Sequence, residues 1–222
     1  WRVRLGCAVL VFAGGAVVAM SLLAVDGTGV IGAVYGEFGL ALVVAASLVL
    51  TLSLAANRIT GEVERRTVYN VVAKPVSRWE YLVGTWLGIV AVMALVMAAF
   101  VIVLQGFGQV RYGQPMWQLW EGGLAIWCEM GVVAALSVAV SSAAGPVVVV
   151  VAALTLEFIG HSRDSVLGEG GGGALRALYP SLDTFNIVNP VAHAGGVGLF
   201  YLGSMLVAFL GWAGLLLLLG SL

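Results

Sequence analysis

Long apolar runs dominate this sequence and decide what it can fold into. A helix needs about 20 apolar residues to cross the hydrocarbon core of a bilayer, and the chain contains six such runs, of which the fifth is short. The runs lack the alternation of apolar and polar residues that marks a membrane β-barrel. They therefore predict an all-α integral membrane protein with six transmembrane helices, forming one domain over residues 1–222. The predicted spans cover about residues 5–25, 38–56, 81–104, 117–140, 147–160 and 197–219.

The composition excludes a soluble domain. Only 9% of the residues are charged and 61% are hydrophobic, whereas a soluble surface requires roughly a quarter charged residues. A net charge of −1 gives no reason to expect nucleic acid as a partner. The chain opens at Trp1 and stops inside an apolar run at Leu222, so we expect further residues at both ends. No clear cleavage site follows the first run, which is therefore interpreted as a span and not as a signal peptide.

Helix start signals lie between the runs. Ser77 and Glu80 have the spacing of a capping box and predict the start of the third span. Pro115 stands where a first-turn proline would open the fourth span, and Gly145 with Pro146 predicts a tight turn before the fifth.

The distribution of Lys and Arg predicts the orientation. Six spans place seven basic residues on one side and three on the other, so the first side is predicted to be cytoplasmic, together with both termini and the loop 57–80. The other side receives segments 26–37, 105–116 and 161–196. The cytoplasmic set is Arg2, Arg4, Arg58, Arg65, Arg66, Lys74 and Arg78, and the outer set is Arg111, Arg163 and Arg176.

The loop 57–80 contains a short amphipathic pattern. Val68, Val71 and Val72 fall on one face of a helix, and Glu62 with Arg66 forms a favourable i, i+4 pair. Such a helix either rests on lipid headgroups or docks onto a soluble partner, and the physical pattern fits both.

The motifs of this loop resemble those of ABC-2 type transporter permeases. The chain has Glu62, Glu64 and Arg66-Thr67, then Lys74-Pro75-Val76-Ser77-Arg78, Glu80-Tyr81 and Gly84-Thr85, where the family often has Lys in place of Thr85. Two further matches are Pro180 with Leu182-Asp183-Thr184-Phe185-Asn186, and Ile159-Gly160-His161 at the end of the fifth span. Together these motifs resemble those of the subgroup associated with multicopper-enzyme maturation, which is similar to the nitrous-oxide-reductase maturation permeases.

The resemblance implies a function and its partners. The loop would be a cytoplasmic coupling helix in a groove of an ABC ATP-binding subunit, with apolar residues as the anchor and charged residues at the rim. A second permease chain, identical or homologous, would complete a dimer in a bacterial inner (plasma) membrane. The segment between spans five and six would re-enter the membrane from outside, broken at Pro190, Gly195 and Gly196. The residues expected to dock are Glu62, Glu64, Arg65, Arg66, Val68, Val71 and Val72.

This chain is expected to lack catalytic residues and bound cofactors. It contains no G-x-x-x-x-G-K-(S/T) motif, so ATP and Mg would bind to the partner subunit. An intramembrane enzyme is the first alternative, but no Ser/His, His/Glu or Asp/Asp pair is evident at one depth. A non-transporting anchor or respiratory subunit is the second, but both histidines lie at span edges.

Two carboxylates within spans are candidate functional groups. Glu129 and Glu157 are predicted either to line a substrate or proton path, or to make neutral contacts between helices. Glu157 lies near the outer end of its span, where outer water can reach it. The candidate residues for an outer gate lie in or beside the outer loop between spans five and six. They are His161, Asp183, Asn186 and His193. The two histidines, together with the acidic loop residues Asp164, Glu169 and Asp183, could bind a metal, but their spacing fits no compact site, so no metal is predicted.

Overall fold

A computed structural model describes residues 14–15, 29–56, 77–113, 116–162, 180–192 and 196–222. Within these ranges the chain forms helices and connecting turns, and no strand, which confirms the all-α fold class. The elements are α1 (Gly29–Ala56), α2 (Arg78–Tyr112), α3 (Gln118–Ser141), α4 (Pro146–His161), a 3₁₀ turn (Leu182–Phe185), α5 (Val188–Ala192) and α6 (Leu199–Ser221).

Four of the described helices are long and apolar enough to cross a membrane, namely α1, α2, α3 and α6. The fifth predicted span is α4, which has 16 residues and is therefore about 24 Å long, shorter than the roughly 30 Å of a hydrocarbon core. The first predicted span, 5–25, lies outside the described residues except for the helical residues 14–15, and so does the coupling segment up to residue 76. Six spans therefore remain a prediction.

Two helices are longer than the predicted spans. α1 begins at Gly29 and not near residue 38, and α2 continues to Tyr112 instead of ending near residue 104, so the predicted outer segments 26–37 and 105–116 are partly helical. The buried Tyr35 hydroxyl donates a hydrogen bond of 3.0 Å to the carbonyl of Leu104. This contact joins the extension of α1 to the last residue of the predicted third span, so tertiary packing stabilises α1 beyond its most apolar stretch.

The helix ends follow the local sequence. The predicted capping box is confirmed: the Glu80 N–H donates to the Ser77 hydroxyl (3.3 Å), and the Ser77 N–H donates to the Glu80 carboxylate (2.9 Å). α2 ends where Gly113 adopts a left-handed conformation with φ 69°, which glycine tolerates without steric cost. Pro146 occupies the first turn of α4 after Gly145, as predicted, while Pro115 lies outside the described residues.

α3 is the central helix of the bundle and packs against α1, α2, α4 and α6. The Trp86 indole of α2 donates to the carbonyl of Gly131, and the Trp127 indole of α3 donates back to the carbonyl of Val90, both at 2.9 Å. The ring of Phe209 from α6 lies against both indoles, with centroid distances of 5.8 and 5.5 Å. These contacts hold three long helices together at one level.

Contacts at the two ends of the bundle fix the helix directions. At one end, Arg78 at the start of α2 donates to Ser142, just after α3 (3.3 Å), and the Ser142 hydroxyl lies 3.5 Å from the carbonyl of Gly220 in α6. At the other end, Glu121 in the first turn of α3 accepts a 2.7 Å hydrogen bond from the N–H of Val197, just before α6. α3 and α6 are therefore parallel, and α2 runs against them, as the predicted topology requires.

Candidate functional site

Three side chains with ionisable groups meet where α4 ends beside the middle of α3. We call Glu129, Glu157 and His161 the Glu129 cluster; one potential ligand atom from each residue lies within 4.8 Å of the other two. Glu157 and His161 are four residues apart in α4 and therefore share a face. Glu129 comes from α3, about 17 Å along the helix from Gln118 at 1.5 Å per residue. The short length of α4 thus brings its carboxyl end to mid-helix depth.

The imidazole of His161 lies between the two carboxylate-bearing residues. Its Nε2 is 3.2 Å from Oε1 of Glu129, and its Nδ1 is 3.2 Å from the backbone carbonyl oxygen of Glu157. The Glu129 side chain is 3% exposed and that of His161 is 31% exposed. The cluster is therefore closed at Glu129 and open at His161.

Two carboxylate oxygens of the cluster are buried without a hydrogen-bond partner, namely Oε1 of Glu129 and Oε2 of Glu157. Oε1 of Glu129 is 3.2 Å from His161 Nε2, but the two atoms do not form a hydrogen bond. Leaving buried acceptors unsatisfied costs free energy, and the cost is larger for charged groups in an apolar bundle. This arrangement can therefore hold protons or a cation.

The outer segment covers the end of α4. Leu182 of the 3₁₀ turn packs so tightly against Gly160 that a Cβ there would lie 2.5 Å from the Leu182 Cγ. Phe185 is buried, and the Tyr201 hydroxyl of α6 holds the turn by donating a 2.7 Å hydrogen bond to the carbonyl of Thr184. The turn therefore has a fixed position beside the cluster.

Two of the other predicted gate residues, Asp183 and Asn186, lie outside the cluster. Asp183 and Asn186 are exposed, and the N–H of Asn186 donates to the carbonyl of Asp183 (3.1 Å). Asp183 is still close enough to act electrostatically on Glu129. His193 and the predicted docking residues from Glu62 to Val72 lie outside the described residues.

The structure corrects one expectation about these residues. A His/Glu pair does lie at one depth, because His161 contacts Glu129, and Glu157 faces this pair with one oxygen buried. The spacing of Glu157 and His161 within one helix was a visible signal. Glu129 could not be added to it from the sequence, because the register between α3 and α4 depends on the turn at Gly145 and on the packing.

The fold defines the class as a multi-pass helical membrane protein. The sequence model of the ABC-2 family transporter proteins matches residues 5–160, and the chain therefore belongs to that family. A comparison with curated proteins gave no match. Family membership makes the chain the permease component of an ABC transporter, whose partner is an ABC ATP-binding subunit.

Proposed function

We propose that this chain is the membrane-spanning permease subunit that couples ATP hydrolysis by a separate subunit to the translocation or export of a substrate. The observation that carries the proposal is the family match over residues 5–160, which includes the predicted coupling segment 57–80. ATP and Mg bind to the partner chain, and this chain supplies the path through the bilayer.

The fold suits transmission from the coupling segment. The segment leads directly into Ser77, whose capping box begins α2. Arg78, the next residue, is hydrogen-bonded to Ser142 at the end of α3. A displacement of the docked segment therefore acts on α2 and on the central helix together, at the end of the bundle where α6 also ends. Val68, Val71 and Val72 anchor the segment in the partner groove.

The remaining features of the proposal concern the whole assembly. The chain has six spans with both termini in the cytoplasm of a bacterium, and two permease chains form a dimer. The segment between α4 and α6 re-enters the membrane from outside; its described part, with a 3₁₀ turn and α5 packed against the long helices, supports this arrangement. Asp183 and Asn186 lie on this segment as gate residues. The subgroup proposed is that of the multicopper-enzyme maturation permeases.

The docking segment can be tested by adding one charge to either face. Val72→Asp places a carboxylate in the desolvated contact, which is costly, whereas Asn70→Asp adds the same charge on the opposite face of the predicted helix. We expect Val72→Asp to abolish co-purification of the ATP-binding subunit with the tagged chain, and Asn70→Asp to retain it. Equal recovery of the subunit with both variants, at normal membrane insertion, would show that the segment is an interfacial anchor.

A further inference from the structure

We propose that Glu129, Glu157 and His161 bind a divalent transition-metal ion, and that Zn²⁺ fits this set of ligands best. The proposal revises the expectation from the sequence that no metal is bound. It does not depend on the permease assignment, because it follows from the contact between α3 and α4.

The ligand atoms suit such an ion. One imidazole nitrogen with two carboxylate oxygens favours a borderline cation such as Zn²⁺ over Mg²⁺ or Ca²⁺. Ligands at about 2.0–2.2 Å from a tetrahedral zinc lie roughly 3.4 Å from one another. The distance of 3.2 Å from His161 Nε2 to Glu129 Oε1 already agrees with this spacing. The remaining separations are within 4.8 Å, so the site needs the Glu157 carboxylate to move closer to the other two ligand atoms when an ion binds.

The orientation of the imidazole prepares Nε2 as a ligand. A carbonyl oxygen only accepts hydrogen bonds, so the contact from Nδ1 to the carbonyl of Glu157 places the ring proton on Nδ1. Nε2 then carries a lone pair and lies 3.2 Å from the carboxylate oxygen of Glu129, with no hydrogen bond between the two atoms. Two atoms with lone pairs at this distance repel each other unless a proton or a metal ion lies between them. A histidine whose second nitrogen donates to a backbone carbonyl is also the usual arrangement at metal sites.

Charge balance favours a divalent ion. The two carboxylates would bring two negative charges into an apolar bundle, where each is costly. A divalent ion offsets both charges and binds the unpartnered oxygens of Glu129 and Glu157. A single shared proton would pair the two oxygens with each other but would offset only one of the two charges.

The site also has an opening and a vacant coordination position. The side chain of His161 is 31% exposed, and the exposed Asp183 of the 3₁₀ turn supplies a further negative charge that acts on the site. Three protein ligands leave the fourth position of a tetrahedral ion for water or an exchanging ligand. An ion would enter past His161 and, once bound, would fasten the end of α4 to the middle of α3.

Zinc affinity tests the proposal directly. The full-length chain is placed in lipid nanodiscs, and Zn²⁺ binding to the wild type is compared with that to variants in a chelator competition. We expect the wild type to bind one Zn²⁺ per chain. Glu129→Gln and His161→Ala should each lower the affinity for Zn²⁺ at least about 100-fold, because losing even a hydrogen-bond partner of a metal ligand lowers the affinity about 10–100-fold. His161→Cys, which restores a zinc ligand, should recover most of the affinity.

Glu121→Gln is the matched control, since this acid lies in the same helix and accepts a backbone hydrogen bond that an amide can also accept. It should bind Zn²⁺ like the wild type. If Glu129→Gln fails to insert, the half-exposed His161 variants decide the outcome. Equal affinities in the wild type and the His161→Ala chain would overturn the proposal and leave the cluster as a proton-binding group.

Discussion

Gly131 determines how closely α3 and α6 approach each other. A Cβ at this position would lie 2.4 Å from Cε2 of Phe209, and that ring is itself held against Trp86 and Trp127. Small residues at such crossings let helix backbones approach closely in membranes. The glycine is therefore needed for the aromatic cluster to form.

A methyl group at this position should destabilise the bundle. We expect Gly131→Ala to lower the free energy of unfolding in mixed micelles by about 1–3 kcal/mol, because the Phe209 ring cannot move away without losing its contacts. Gly88→Ala is the matched control: its Cβ meets no atom within 4 Å, so it should leave the free energy of unfolding unchanged or raise it by up to about 1 kcal/mol, because alanine is the better helix former. Equal stabilities of the two variants would contradict this account of the α3–α6 contact.

At the residue scale, the sequence indicated which side chains of the cluster are candidate functional groups, but it did not predict that they lie together. Glu129 was identifiable because a carboxylate inside a span is costly and therefore needs a partner. Its partner His161 was assigned to the outer gate, since spacing along the chain gives no depth for the end of a short helix. Only the packing of α4 on α3 joins the two residues.

At the level of elements, apolar content predicted the existence of the long helices and local chemistry predicted some of their ends. Ser77, Gly145 and Pro146 act through contacts within one turn, so their roles were visible in the sequence. The extension of α1 was not visible, because it depends on the contact of Tyr35 with Leu104, which are far apart in the chain and meet only in the fold.

The directions of α2 and α4 make a prediction about the segments next to them. Both α2 and α4 begin at the end of the bundle where α3 ends. Segment 57–76, which leads into α2, and segment 163–179, which follows the far end of α4, should therefore lie on opposite sides of the membrane. A cysteine at residue 70 should label only in permeabilised cells, and one at residue 170 should label from outside.

The background for this labelling is a chain without Cys7 and Cys128, which are its two native cysteines. Labelling of both positions from outside in intact cells would contradict the proposed topology. Labelling of residue 70 alone would mean that the orientation is reversed.

At the scale of the whole molecule, the described helices pack around the buried helix α3, and the predicted docking segment and the Glu129 cluster belong to different levels of this bundle. The predicted docking segment leads into α2 at the end where α3 and α6 end, while the Glu129 cluster lies near the middle of α3. α3 connects them, because Arg78 contacts its end through Ser142 and His161 contacts its centre through Glu129. A movement that starts at the docking segment therefore has a direct path to the cluster.

The most direct test of the permease assignment is the rate of ATP hydrolysis by the ATP-binding subunit, with and without this chain in nanodiscs. The account predicts that the chain binds the subunit and changes its rate of hydrolysis, and that Val72→Asp abolishes the change while Asn70→Asp preserves it. A rate that is the same with the wild-type chain, with Val72→Asp and with empty nanodiscs would contradict the claim that this chain is the permease of an ATP-driven transporter.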